Sequence, residues 1–235
     1  VFSVKNIVLK PMRWGRRAVR RNKSARIYKR YRDATMIPRC AFVDNLELAR
    51  MIAGNRNLAT HSVVECGTWR GGMSAGLIEI LGRERPYHFF DSFAGLPPAK
   101  KIDGEKARRW QANTDSPQYY NNCTASRDEF MATIYRTRIN LKNVHLHQGL
   151  FSETVEAVDV GTVALLRLDG DWYDSTMCCL QAFFPKIVSG GYVIIDDYGT
   201  WDGCTRAVHD YLSQNKHAEP IRRYGLSDVP YIEVS

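Results

Sequence analysis

Apolar residues recur at helical spacing over Phe42–Ala53 (FVDNLELARMIA), and beyond that point the periodicity alternates between short apolar runs and longer amphipathic ones. His61–Cys66 (HSVVEC) reads as a strand, followed by a glycine-rich turn and an apolar helix over Met73–Leu81. Tyr87–Asp91 (YHFFD) reads as a second strand. A long polar stretch then carries Pro97, Pro98 and Pro117 together with Trp110, Tyr119 and Tyr120. At about 95–124 it is too long for a simple connection and reads as a lid-like insertion beside a site. Ser126–Ile139 reads as a helix with Ser126 as N-cap and Glu129 completing a capping box. Val144–Gln148 and Thr162–Asp169 read as strands, Tyr173–Val188 as a helix, Gly191–Asp196 as a strand and Cys204–Leu212 as a helix. Ile221–Tyr224 and Tyr231–Val234 are expected to close the chain as a hairpin pair. Strands alternating with helices imply an α/β domain with a parallel sheet covered on both faces. In such sheets a ligand sits beyond the carboxyl ends of the strands, so the chemistry is expected there.

Charge divides the 235 residues unevenly. Residues 1–40 carry 13 Lys/Arg against one acid, Asp33, and the remainder carries 20 Lys/Arg against 24 acids, so a net charge of +8 conceals a strongly basic arm on a mildly acidic body. The division expected is an arm at 1–40 and a catalytic domain at 41–235. Arg16, Arg17, Arg20, Arg21, Lys23, Arg26, Lys29, Arg30 and Arg32, with Trp14, Ile27 and Tyr31 as sparse apolar partners, suit a solvated helix, a contact in a homo-oligomer, or an anionic membrane surface. Nucleic acid is not expected as the substrate. No run approaches the ~20 apolar residues of a membrane span, and no apolar signal-peptide core is present. The six cysteines form no C-x-x-C pair, which suits a cytoplasmic protein, peripheral to a membrane if the arm binds one.

The first strand runs into Glu65-Cys66-Gly67-Thr68-Trp69-Arg70-Gly71-Gly72. Its glycines let a ligand approach the backbone, and the helix that follows offers free N–H groups. The spacing departs from the G-x-G-x-x-G of a dinucleotide oxidoreductase, and an acid such as Glu65 can meet the ammonium of an amino acid moiety. Asp91, with Ser92 and Phe93, ends the second strand where a carboxylate can accept from both hydroxyls of a ribose. Gln148-Gly149-Leu150-Phe151-Ser152 ends the third, where an adenine edge and face can be read. The fourth strand ends in Asp169-Gly170-Asp171-Trp172 and the fifth in Asp196-Asp197-Tyr198. If those strands are neighbours, Asp169, Asp196 and Asp197 converge, and an oxygen-only set of this density suits Mg²⁺ or another divalent cation. Asp171 and Asp197 are alternatively read as helix caps. His145 and His147 share one strand face but lack a third ligand, and are read as ordinary strand residues. His209 is a further residue with reach to the site.

The runs VVECGTWRGGMS, FFDSFAGLPP, LRLDGDWYDST and GGYVIIDDYGTWDGC, in that order over about Phe42 to Leu212, resemble the macrocin O-methyltransferase family, which includes mycinamicin and novobiocin sugar methyltransferases. The resemblance implies a Rossmann-like class I methyltransferase fold with a seven-stranded sheet. It also implies S-adenosylmethionine as donor, Mg²⁺ on Asp169, Asp196 and Asp197, and Asp169 as general base. It carries a cofactor contact onto Ser126 and makes a sugar hydroxyl the acceptor. The expected reaction is Mg²⁺-assisted methylation of a hydroxyl on a sugar or glycosylated small molecule. Its competitors are a catechol or phenol O-methyltransferase, a nicotinamide oxidoreductase, and a non-enzymatic module that binds a membrane or polyanion through the arm. Trp110, Tyr119 and Tyr120 are expected to close over the acceptor.

Overall fold

The computed structural model describes residues 12–235, with side chains from residue 19 onward. Trp14, Arg16 and Arg17 of the basic segment lie outside the described side chains. The order is α1 (Met12–Tyr31), α2 (Arg39–Ala53), β1 (Ser62–Cys66), α3 (Gly72–Leu81), β2 (Tyr87–Asp91), α4 (Gly104–Ala112), α5 (Arg127–Tyr135), β3 (Val144–Gln148), α6 (Phe151–Thr154), β4 (Val163–Leu168), α7 (Tyr173–Phe183), β5 (Ile187–Ile195), α8 (Asp202–Gln214), β6 (Arg222–Tyr224) and β7 (Val229–Glu233).

Among the described residues these strands form one seven-stranded sheet in the order β3-β2-β1-β4-β5-β7-β6. The first five are parallel; β7 runs antiparallel to β5 and pairs with β6 as the expected hairpin. Every residue of β1 and β4 is buried, as strands covered on both faces require, whereas β3 at the edge is partly exposed. One face packs Phe42, Leu46, Ile78, Phe89 and Phe130 under α1, α2, α3 and α5; the other packs Phe90, Leu166, Leu180, Phe183 and Val208 under α7 and α8.

The described part of the basic segment is built into the first face. Ser24 and Tyr31 are fully buried, Ile27 nearly so, and the Ser24 hydroxyl donates to Glu47 on α2 at 2.6 Å. Arg21 pairs with Asp44, whose buried carboxylate also accepts from the backbone N–H of Leu226 and Ser227 in the β6–β7 turn. One carboxylate thus ties α1, α2 and the C-terminal hairpin together.

Several boundaries differ from the sequence reading. The helix expected to run to Val188 ends at Phe183, because Pro185 offers no N–H to extend it, and β5 begins at Ile187 rather than Gly191. The β4–β5 register shifts between Val163 and Leu165. The helix expected over Ser126–Ile139 is α5, which stops at Tyr135.

Candidate active site

Register levels the strand ends. Cys66 pairs with Leu168 and Leu168 with Ile195, so Gly67, Asp169 and Asp196 emerge side by side. Backbone bonds extend the ladder one step: Asp169 N–H donates to the Cys66 carbonyl and Asp196 N–H to the Leu168 carbonyl, both at 2.9 Å. Gly67, at φ +87°, lies so near β4 that a Cβ there would stand 1.8 Å from the Asp169 carbonyl oxygen. Glycine is therefore required at this crossing.

Two cavities adjoin along this row. The larger, about 620 Å³, is lined by Asp91, Ser92, Gly149, Phe151 and Ser152 among others. The smaller, about 290 Å³, is lined by Glu65, Thr68, Asp196, Asp197, Trp110 and Trp201 among others. Gly67, Trp69, Cys123, Asp169, Asp171 and Met36 line both.

On the larger side, Asp91 organises the turn after β1. Its Oδ2 accepts from Thr68 N–H at 2.7 Å and Trp69 N–H at 2.8 Å, while its Oδ1 accepts from Phe93 N–H at 2.8 Å. Phe93 is buried against Phe130 in the core. Arg70 turns to α5, its Nε 3.0 Å from Glu129 Oε1. Gly71 takes a left-handed conformation against the Phe130 ring. Ser126 caps α5 in the expected box with Glu129, and Gln148 is exposed at the end of β3. Arg70, Gly71, Phe93, Ser126 and Gln148 line neither cavity.

On the smaller side, five carboxylates crowd round one cation. The buried Arg167 guanidinium reaches Glu65 at 3.0 Å, Asp169 at 2.8 Å and Asp196 at 2.8 Å, joining the ends of β1, β4 and β5. Its Nε donates to Asn45 of α2 at 3.3 Å. The carboxylate oxygens of Asp169, Asp171 and Asp197 lie within 4.8 Å of one another. Burial, then the neighbouring Asp169, pushes the Asp171 carboxyl up to about 8. Burial and Asp169 raise Asp196 to about 6 against the opposing pull of Arg167. Asp197 is raised by burial and then by Asp171, and Glu65 is lifted to about 7, chiefly by burial. Asp171 and Asp197 cap no helix: Asp197 Oδ2 accepts from Asp171 N–H at 3.0 Å, and Asp171 Oδ1 accepts from the Trp201 indole at 2.8 Å.

The insertion walls this side. Trp110 from α4 meets Trp201 and Trp172 edge-on, with ring centroids at 5.8 and 6.3 Å, and stacks obliquely on Tyr119. Tyr120, Asn121, Asn122 and Cys123 are four successive residues at positive φ, a left-handed turn that carries Tyr120 and Cys123 to the smaller cavity. Such a run costs roughly 1–2 kcal/mol per residue, less at the asparagines. The side chain of Asn122 offsets part of it by donating to the Leu96 carbonyl at 2.8 Å and accepting from Gln111 at 3.0 Å. Asp103, almost fully buried, accepts from Tyr173 N–H at the start of α7 and from Lys100 N–H, both at 2.7 Å.

Arg167 and Asp103 are residues the sequence reading passed over, and Asp171 was read there only as a cap. A lone arginine inside an otherwise apolar strand was the available signal, since a charge buried on both faces must be paired. His145 and His147 do have a neighbour, His88 on β2: His88 Nδ1 stands 3.2 Å from His147 Nε2, and burial lowers His88 to about 4. His209 bonds the Tyr198 hydroxyl at 3.0 Å and lines neither cavity.

Comparison with known proteins agrees with this layout. The sequence profile of the macrocin-O-methyltransferase (TylF) family matches residues 20–229. The chain is 35% identical over 164 residues to demethyldecarbamoylnovobiocin O-methyltransferase of Streptomyces niveus, covering 68% of this chain and 61% of the relative. It is 32% identical over 174 residues to mycinamicin III 3''-O-methyltransferase of Micromonospora griseorubida, covering 71% and 62%. It therefore spans just over three fifths of the length of these curated relatives. The solved structure of the O-methyltransferase NovP superposes with a TM-score of 0.71 at 28% identity, covering 86% of this chain and 82% of that one. The fold is that of the class I methyltransferases.

Proposed function

The chain belongs to the macrocin-O-methyltransferase family, and we propose that it transfers the methyl group of S-adenosylmethionine to a hydroxyl of a sugar or glycosylated small molecule, with a divalent cation, Mg²⁺, assisting. The observation that carries this reading is the pair of adjoining cavities that share Asp169. The donor lies mainly in the larger and reaches its boundary with the smaller: Asp91 and Ser92 face its ribose, Gly149, Phe151 and Ser152, with Gln148 beside them, belong to the adenine end, and the turn from Glu65 through Gly67, Thr68, Arg70 and Gly71 receives the amino acid end at that boundary. Phe93 and Ser126 support that turn from behind. The acceptor occupies the smaller, between the aspartates and the wall of Trp110, Tyr120 and Trp201, with the insertion at about 95–124 as its outer side. Residues 41–235 supply the catalytic groups, and the basic segment at 1–40 serves as accessory.

The acidic corner suits a cation. Burial and mutual repulsion raise three of its carboxyls, and Arg167 supplies a single opposing charge. We assign Asp169, Asp196 and Asp197 as its ligands; the oxygens that lie within 4.8 Å of one another are those of Asp169, Asp171 and Asp197, while Asp196 is turned to Arg167. A divalent cation there supplies Lewis acidity that eases deprotonation of the acceptor hydroxyl. Asp169, on the boundary of both cavities, takes the hydroxyl proton; the oxygen forms its bond to the methyl carbon as the carbon–sulfur bond breaks, leaving S-adenosylhomocysteine. Holding both reactants in line contributes roughly 7–11 kcal/mol. We further place the enzyme in the cytoplasm, self-associating and peripheral to a membrane; no helix among the described residues is long and apolar enough to cross one.

Calorimetric titration with S-adenosylhomocysteine, with NAD as control, tests the donor site, and micromolar binding that is lost in Asp91→Ala is expected. An acceptor panel of sugars and catechols, run with and without a chelator, tests the rest. Turnover of catechols alone would replace the sugar by a phenol, and turnover unaffected by chelation would remove the metal.

A further inference from the structure

The segment that the reaction leaves unused is α1. Its inner face is spent on packing: Ser24, Ile27 and Tyr31 are buried, Arg21 pairs with Asp44, and Arg30 pairs with Glu79. Its outer face is different. Arg20, Lys23, Arg26 and Lys29, and Arg32 just past its end, are exposed, and none has a carboxylate partner among the described residues. Lys23, Arg26 and Lys29 follow at steps of three, which places them along one side of the helix. Val19, 57% exposed, sits four residues before Lys23 on that side. The nearest acid in sequence, Asp33, is already held by Arg136.

We infer that the outer face of α1 docks on an anionic phospholipid bilayer, with Lys23, Arg26 and Lys29 at the headgroups. The inference rests on the peripheral placement proposed above and gives it a surface and a lipid class. Charge complementarity alone would serve a nucleic acid equally well; the apolar composition favours lipid. Through residue 32 the chain contains no acid, and its first 18 residues interleave Lys5, Lys10, Arg13, Arg16 and Arg17 with Phe2, Ile7, Val8, Leu9 and Trp14. Aliphatic and indole side chains gain free energy at the boundary of headgroup and acyl chain but have no counterpart on a phosphodiester backbone. Each cation near an anionic bilayer contributes to attachment, and the attraction fades with ionic strength over about 10 Å at 0.1 M salt.

The test is sedimentation of the full chain with vesicles of phosphatidylcholine alone and of phosphatidylcholine with phosphatidylglycerol. Binding to the anionic vesicles only, weakened by salt, is expected. The triple variant Lys23→Glu, Arg26→Glu, Lys29→Glu changes exposed positions alone, and its partitioning should fall on the order of a hundredfold or more. Its S-adenosylhomocysteine affinity should be unchanged, which separates failure of the docking face from failure of the donor site. Absence of binding to anionic vesicles by protein that still binds S-adenosylhomocysteine overturns the inference. So does partitioning indifferent to the triple variant, or tighter binding to a duplex DNA oligonucleotide than to the vesicles at the same salt, which would reassign the face to nucleic acid.

Discussion

The carboxylate of Asp91 and the carboxylates around Asp169 lie on the same rim of the same sheet, yet they are in opposite electrostatic condition. Asp91 is met by the N–H groups of Thr68 and Trp69 in the turn after β1 and of Phe93 in its own turn. The corner of Glu65, Asp169, Asp171, Asp196 and Asp197 has one internal cation, Arg167, and several of its carboxyls are held well above their ordinary range. The charge of the first is met within the fold, with acceptor capacity left over for a ligand's hydroxyl; the second is balanced only when protons or a cation come from outside. A site that must bind and release a charged ligand has reason to be left in the second condition.

The strongest way to break that contrast is Arg167→Met. Removing the cation leaves buried carboxylates without their partner, and a loss of about 3–5 kcal/mol is expected in urea unfolding; a loss below about 1 kcal/mol would mean that the pairs do not hold the strand ends. Next comes pH. Asp196, Glu65 and Asp171 keep protons in the native state that the unfolded chain has released, so stability from these groups is full below about pH 4 and is lost as pH rises towards 8. Without metal, stability should fall steadily across this range, and saturating Mg²⁺ should flatten the decline; thermal melts from pH 5 to 8 with and without Mg²⁺ read both. Asp91→Asn takes one charged acceptor from three N–H groups and should cost about 1.5–3 kcal/mol, with no such pH or Mg²⁺ dependence. The smallest effect is expected from Trp201→Phe, which removes the indole bond to Asp171 and trims the ring packed against Trp110 and Trp172. About 1 kcal/mol of stability should be lost, with weaker acceptor binding and donor affinity retained in calorimetry.

Strand ends were legible because buried parallel strands are short apolar runs stopped by glycine or aspartate. Tyr87–Asp91 and Val144–Gln148 begin and end as the pattern indicates. The start of β5 was not legible, since FFPKIV is apolar enough for a helix and only Pro185 marks the change. At the site, the level row Gly67, Asp169, Asp196 follows once β1, β4 and β5 are neighbours. The partners of those residues do not follow. Arg167 answers to Glu65 from another strand, Asp171 to Trp201 across 30 residues, and His88 to His147 through a register that neither strand encodes alone. Pattern reports what a residue faces; cross-strand pairing decides what it meets.

Asp103 bears on how this protein could be re-engineered. The bond it accepts from Tyr173 N–H latches the insertion to the first turn of α7, that from Lys100 N–H holds the insertion's own turn, and a Cβ at Gly203 would fall 2.3 Å from Asp103 Oδ1, so the start of α8 is moulded to the same side chain. The segment is therefore not an interchangeable loop. A graft taken from a relative to alter acceptor choice would need to keep an acceptor at 103 for the free N–H at 173 and leave room against Gly203, which makes the insertion and the two helix starts a single unit of exchange.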